Sequence, residues 1–236
     1  MKKVLTSITL FIMLISACSP QGLPTEIPSD VIEEATQISV DLTPAQRAAV
    51  SAVVENLGVA VEQVKVVSTE AVDWPDSCLG IPLEGMSCTQ VVTPGFRVIL
   101  DVAGKRVEYR TNQDGTVILP ATTALTWSRV GGVAGFCDSL TIYLSGEVRA
   151  TNCNTSDVVE QRLSEIATPE QIALMNELIS TYGQVDIDAS DPQGVADAMT
   201  IQLQFLGQGT EQIITPQVRQ VLLQFAQDLQ NKLMNP

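Results

Sequence analysis

Three stretches of this chain place apolar residues at helical spacing behind a start signal. The first begins with Thr43-Pro44-Ala45-Gln46, which supplies an N-cap threonine, a proline at the first helical position and a glutamine three residues after the cap. Val50, Val53, Val54 and Leu57 then form one stripe, and Gly58 is a stop. Thr168-Pro169-Glu170-Gln171 repeats the start. Behind it come Ile172, Met175, Leu178, Ile179 and Tyr182, ended by Gly183. Thr215-Pro216 opens the third, with Val218, Val221, Leu222, Phe225, Leu229 and Leu233 on one side. The stripes predict core-facing helices. Between them the pattern changes to runs rich in β-branched and aromatic residues: 64–72, 89–93, 96–102, 107–111 and 116–119, then 125–130, 140–144, 147–150 and 199–206. Ala103-Gly104-Lys105 reads as a hairpin link, and 112–115 as a second turn. The fold class expected is α+β, in two small modules over 43–120 and 121–236. Each is an antiparallel sheet with one or two packed helices. No internal repeat is visible.

The N-terminal pattern is of another kind. Lys2 and Lys3 precede an uncharged, mainly apolar run over 4–15, which has secretory-signal dimensions and is shorter than the ~20 residues of a spanning helix. It runs into Ile15-Ser16-Ala17-Cys18. This stretch resembles the lipobox of bacterial lipoprotein precursors: an aliphatic residue, two small residues and a cysteine. The resemblance implies that residues 1–17 are removed and that Cys18 carries a diacylglyceryl group, with palmitate-type chains holding the protein to a lipid bilayer. Each buried methylene contributes about 0.8 kcal/mol, so two or more chains anchor stably where one would not. Residues 18–42, rich in Pro, Ser, Thr and acids, read as a flexible tether of about 25–30 Å. The expected location is the cell envelope, facing outside the cytoplasm.

Charge and composition narrow the function. The chain has 13 basic and 27 acidic residues, a net charge of −14. Loss of Lys2 and Lys3 with the signal leaves 11 against 27, or −16. Such a surface repels phosphate backbones, which excludes nucleic acid as a partner. There is no histidine. That removes Ser-His-Asp and Cys-His nucleophile pairs, histidine general bases and histidine metal ligands. No motif implies a cofactor.

Five cysteines less Cys18 leave Cys78, Cys88, Cys137 and Cys153, an even number fitting two disulfides in an exported chain. Three pairings are available, and spacing favours 78–88 with 137–153. If Leu144-Ser145-Gly146 is a three-residue hairpin loop, Tyr143 faces Glu147, and counting outward sets Cys137 opposite Cys153. The 78–88 loop holds Gly80, Pro82 and Gly85, so a bridge there stands in for missing core. The spacings match neither zinc ribbons nor redox Cys-x-x-Cys pairs.

Three segments hold the candidate site residues. Trp74-Pro75-Asp76-Ser77-Cys78-Leu79-Gly80, followed by Gly95-Phe96-Arg97 and an apolar run, resembles an uncharacterised module of bacterial exported proteins carrying a W-P-D-S-x-L-G element. The resemblance covers about 43–115 and implies a leading helix on a small sheet, similar to PepSY-like or cystatin-like layouts. It implies no activity. An exposed Trp74 would be an interaction anchor, with Asp76 beside it. The alternative is that Trp74 caps the core and Asp76 bonds its own loop. The second segment runs from Trp127 through Arg129, Gly131, Gly132 and Gly135 to Phe136. It resembles the opening of emfourin-like proteinaceous inhibitors of metallopeptidases, across 125–183. The resemblance implies a partner-binding turn at Arg129, Gly131, Gly132 and Phe136. The structural alternative is a glycine-rich hairpin link. Third, Asp186, Asp188, Ser190 and Asp197 stand at positions 1, 3, 5 and 12 of a calcium-type loop, although Asp191 occupies the glycine place and position 12 is Asp rather than Glu; the alternative is Ser190 or Asp191 as the N-cap of a short turn over 192–198.

These features point to a membrane-anchored, non-catalytic binding module that captures or inhibits an envelope or secreted protein such as a peptidase. A structural envelope lipoprotein is the alternative. A carboxylate-based hydrolase is a third reading, which requires a cleft with two converging carboxyl groups.

Overall fold

The computed structural model describes residues 42–83 and 85–234. The signal, Cys18 and nearly all of the tether lie outside the described residues. Helix α1, Pro44–Leu57, starts as its sequence dictates. Gln46 N–H donates to Thr43 Oγ1 at 3.3 Å, and Thr43 N–H donates back to Gln46 Oε1 at 2.9 Å. A 3₁₀ turn at Val61–Gln63 leads into a four-stranded antiparallel meander: β1 (Val64–Trp74), β2 (Thr93–Val102), β3 (Lys105–Asn112) and β4 (Ile118–Pro120). Val102 faces Lys105 across Ala103 and Gly104, whose φ values of +50° and +84° make the tight turn that suits strand twist.

The second sheet has six antiparallel strands: β5 (Thr123–Gly131), β6 (Phe136–Tyr143), β7 (Glu147–Asn152), β8 (Asp157–Arg162), β9 (Gln184–Asp188) and β10 (Met199–Leu206). Their spatial order is β8-β7-β6-β5-β10-β9. Helices α2 (Leu163–Ile166) and α3 (Pro169–Thr181) lie between β8 and β9, and α4 (Pro216–Met234) closes the chain. The fold is therefore α+β, with two antiparallel sheets, few helices and two disulfides, Cys78–Cys88 and Cys137–Cys153. Among the described residues no helix is long and apolar enough to cross a membrane.

The sheet boundary falls at residues 120–123, where the sequence divides the modules, but the core does not divide there. Val98, Leu100, Val107 and Tyr109 from the first sheet and Leu125, Trp127, Leu140 and Phe205 from the second belong to one buried cluster, together with α1, α3 and α4. The described residues accordingly form one compact unit. The opposite face of the second sheet reads Glu160, Arg149, Thr141, Thr126, Gln204, Asp186 across its six strands. This is the polar side that an antiparallel sheet keeps, with Arg149 buried on it and Glu160 and Asp186 exposed at its edges.

Four expectations need correction. Residues 89–92 are not a strand. Thr89 and Ser77 exchange two hydrogen bonds instead, so this stretch closes the disulfide loop rather than a sheet edge. β8 and β9 are additional strands. β8 is an edge strand with little burial, so it lacks alternation, whereas β9 does alternate, burying Val185 and Ile187. Finally, α3 ends on an extended Tyr182, not on a left-handed Gly183.

Candidate functional site

The 131–136 turn is fixed from several sides. On the core-facing side of β5, Arg129 donates to Asp138 Oδ2 of β6 through Nη2 at 2.5 Å and Nε at 3.0 Å. Asn152 Nδ2 donates to Asp138 Oδ1 at 3.0 Å. The guanidinium also lies 3.6 Å from the Phe136 ring centroid and 5.5 Å from that of Trp127. Gly131 has φ +91°, and a Cβ there would sit 2.6 Å from Ala198 O, so a side chain is excluded both by conformation and by space. Gly132 N–H donates to Ala198 O, Gly135 N–H to Gly132 O, and Asn154 Nδ2 to Gly135 O. The Cys137–Cys153 bridge lies just behind, with Cα atoms 5.4 Å apart. At the apex Val133 is 91 % exposed, and Val130 is half exposed beside it. The structure thus brings Arg129, Gly131, Gly132 and Phe136 together as a braced turn with an apolar tip.

Trp74 is not a surface anchor. It is 4 % exposed, its Nε1 donates to Thr111 O at 3.0 Å, and the Arg110 guanidinium lies 4.9 Å above its ring. The close approach of the indole requires Gly95, since a Cβ there would meet Trp74 Nε1 at 2.7 Å. Cys78, Leu79 and Ile81 are buried with it, outside the main cluster, as a small satellite core under the 75–92 loop. Asp76 Oδ1 accepts from the N–H groups of Cys78 and Gly80, so this carboxylate serves its own loop. Asp76, Cys78 and Cys88 come together, but both sulfurs are in the disulfide.

The calcium-type loop is a hairpin connection. Asp186 Oδ1 accepts from Gln204 Nε2, Asp188 Oδ1 from Ser190 N–H and Ser190 Oγ from Ile201 N–H. Asp186 and Asp188 are on strand β9, and Asp197 stands apart with φ +57°. Asp186 thus accepts from a side chain of β10, Asp188 and Ser190 accept from backbone N–H groups of the hairpin, and among the described residues the three aspartates form no ligand cluster.

One cleft was not visible in the sequence. It encloses about 400 Å³ between the two sheets. Its floor carries Tyr143, Glu147 and Arg149 with Glu160 and Arg162 of β8, and its apolar wall is Leu83, Ile118, Leu119 and Pro120. Leu83 arrives on the disulfide loop. Tyr109 of β3 donates its hydroxyl to Glu147 Oε1 at 3.0 Å, which ties the two sheets together at the floor. Burial pushes the Glu147 carboxyl above the ordinary 4.5, and the nearby Ser145, its own N–H, Tyr109 and Asn56 pull it back only in part. Burial also raises the phenols of Tyr143 and Tyr109. Glu160 is engaged by Arg149.

A raised carboxyl has a stability consequence. Its contribution is whole below the unfolded value near 4.5 and is lost as pH climbs through the folded value. Glu147→Gln is therefore expected to melt higher than the parent at about pH 7.5, with the difference vanishing below about pH 4. Thermal melts across that range check it, and a parent that outlasts the variant at neutral pH would refute it.

Among known proteins, a family model described as a domain of unknown function, DUF8738, matches residues 46–120, which run from α1 through the first sheet. No curated protein and no solved structure matches the chain.

Proposed function

We propose that this protein is a lipid-anchored extracytoplasmic binding protein that presents the 131–136 turn to a protein partner, with a metallopeptidase as the partner class. The single observation that carries this reading is Val133, 91 % exposed at the tip of a turn braced by a disulfide, a buried ion pair and backbone hydrogen bonds. An exposed apolar residue on a pre-ordered turn enters a partner's pocket with little loss of conformational entropy, which raises affinity. Two disulfides fit maturation in an oxidising compartment. The stretch Ile15-Ser16-Ala17-Cys18 supports export with acylation at Cys18. The test has two arms. Labelled palmitate is expected in the full chain expressed in a bacterium and absent from Cys18→Ser. The purified protein is expected to inhibit at least one of a panel of secreted metallopeptidases, with Val133→Asp raising the inhibition constant at least tenfold, or ~1.4 kcal/mol. A panel untouched by the parent, or an unchanged constant in the variant, rules out this use of the turn.

A further inference from the structure

We propose that the 131–136 turn is the middle one of three neighbouring loops that form a single docking surface, and that this surface fits an apolar pocket rimmed by lysine and arginine side chains on a protein partner. The proposal rests on the function given above for the turn, and adds to it the rest of the surface and the charge of the partner. Strand pairing sets the arrangement. Met199 of β10 faces Gly131 of β5, so the 192–198 loop leaves the second sheet beside the turn. Asn152 of β7 faces Asp138 of β6 and Asp157 of β8, so the 153–156 turn leaves it on the other side. Both neighbours are tied to the central turn. Gly132 N–H donates to Ala198 O at 3.2 Å, and Asn154 Nδ2 donates to Gly135 O at 2.7 Å. The 192–198 loop is also closed at its base, where Asp191 N–H donates to Met199 O and Met199 N–H donates to Asp191 Oδ2, each at 2.8 Å. Loops held in this way on a rigid sheet are where binding residues concentrate.

The three loops expose apolar side chains together with carboxylates. Val195 is 50 % exposed on the 192–198 loop, and it joins Val133 at the apex of the turn and Val130 at its foot. Pro192 and Ala196 on the same loop, and Ala134 next to Val133, are exposed as well. A lone exposed valine is ordinary, but three on adjoining loops make the kind of patch that marks an interaction site. On either side of the turn, Asp157 and Asp197 are exposed. Two cations reach toward this end of the sheet, and both are engaged. Arg129 is buried with Asp138, and Arg219 lies against Asp188, whose charge offsets its own. The charge of the surface selects the occupant. A second copy would bring two anionic rims together, and an anionic lipid surface would be repelled in the same way. A basic-rimmed pocket is drawn in. Its rim acts on the rate of encounter, while the buried valines supply the affinity.

The test uses the full chain in detergent and the metallopeptidase of the panel that it inhibits most strongly. Val195→Asp is expected to raise the inhibition constant about tenfold, as Val133→Asp does, with an unchanged thermal melt because the residue is exposed. The association rate constant of the parent is expected to fall about tenfold between roughly 20 and 300 mM NaCl. The double variant Asp157→Asn with Asp197→Asn should associate about threefold more slowly than the parent at the lower salt, with little change in dissociation. Val133→Asp weakening inhibition while Val195→Asp leaves it unchanged would overturn the three-loop surface and leave the function of the turn standing. An association rate that rises with salt, or a double variant that associates as fast as the parent, would overturn the basic-rimmed partner. A panel untouched by the parent overturns both this inference and the function it rests on.

Discussion

Asp138→Ala is expected to lose about 3–5 kcal/mol of stability, the cost of stranding a buried charge. Asp138 is 6 % exposed and Arg129 is 9 % exposed. They face each other across β5 and β6, one row beyond Trp127 on the core-facing side. Removing the carboxylate deprives the guanidinium of both its bonds and leaves the Asn152 amide without its acceptor. The rings of Phe136 and Trp127 that enclose the guanidinium keep water from replacing the lost partner. Most of the loss is thus the cost of an uncompensated charge, not the value of the pair itself. That distinction is measurable. The double change Arg129→Met with Asp138→Leu removes both charges and should recover most of the stability, since apolar replacements of buried pairs are often neutral. Urea unfolding followed by tryptophan fluorescence gives both numbers, with slope m unchanged if only the native state is affected. A loss under about 1 kcal/mol in the single variant would mean that the guanidinium is solvated after all.

Local signals carried much of this architecture in plain sight. The capping boxes at Thr43 and Thr168 place the starts of α1 and α3 to the residue, because a cap is a contact within four residues. The β6–β7 register follows from one turn: Gly146 N–H donates to Tyr143 O, and the pairing then runs through Asp138 with Asn152 to the Cys137–Cys153 bridge. What the sequence hides is whatever depends on distant approach. Trp74 beside Pro75 and Asp76 fits either an exposed anchor or a cap on the core, and only the fold shows that it is the cap, lying over Gly95 against Thr111, 37 residues away. Alternation in β9 was readable, but its two aspartates fit calcium spacing equally well, and only pairing with β10 decides between them. The Glu147 cleft could not be read at all. Its walls come from the 75–92 loop, β4 and β7–β8, and Glu147 on its own is an ordinary residue after a turn glycine. Length and composition likewise gave no sign that the two sheets share one buried cluster.

Trp74→Ala should cost about 3–5 kcal/mol, the usual range for removing a large buried aromatic. The indole is the largest member of the satellite core with Leu79 and Ile81, so the space it vacates has few neighbours able to fill it. Arg110 would lose the ring beneath it, though it retains its bonds to Leu79 O and Gly80 O and its pairing with Glu108. Trp74→Phe keeps the apolar surface but not the bond to Thr111 O, and should cost about 1–3 kcal/mol. The consequence extends beyond stability. The 75–92 loop is held at one end by this core and in its middle by the Cys78–Cys88 bridge, and it carries Leu83 to the cleft above Glu147. Loosening the satellite core should therefore also loosen this loop, and Trp74→Phe should keep it ordered. Hydrogen exchange over residues 75–92 separates the two effects, with faster exchange expected in Trp74→Ala while α3 and α4 remain protected. Uniformly faster exchange across the chain would show that the satellite core and the main core unfold as one.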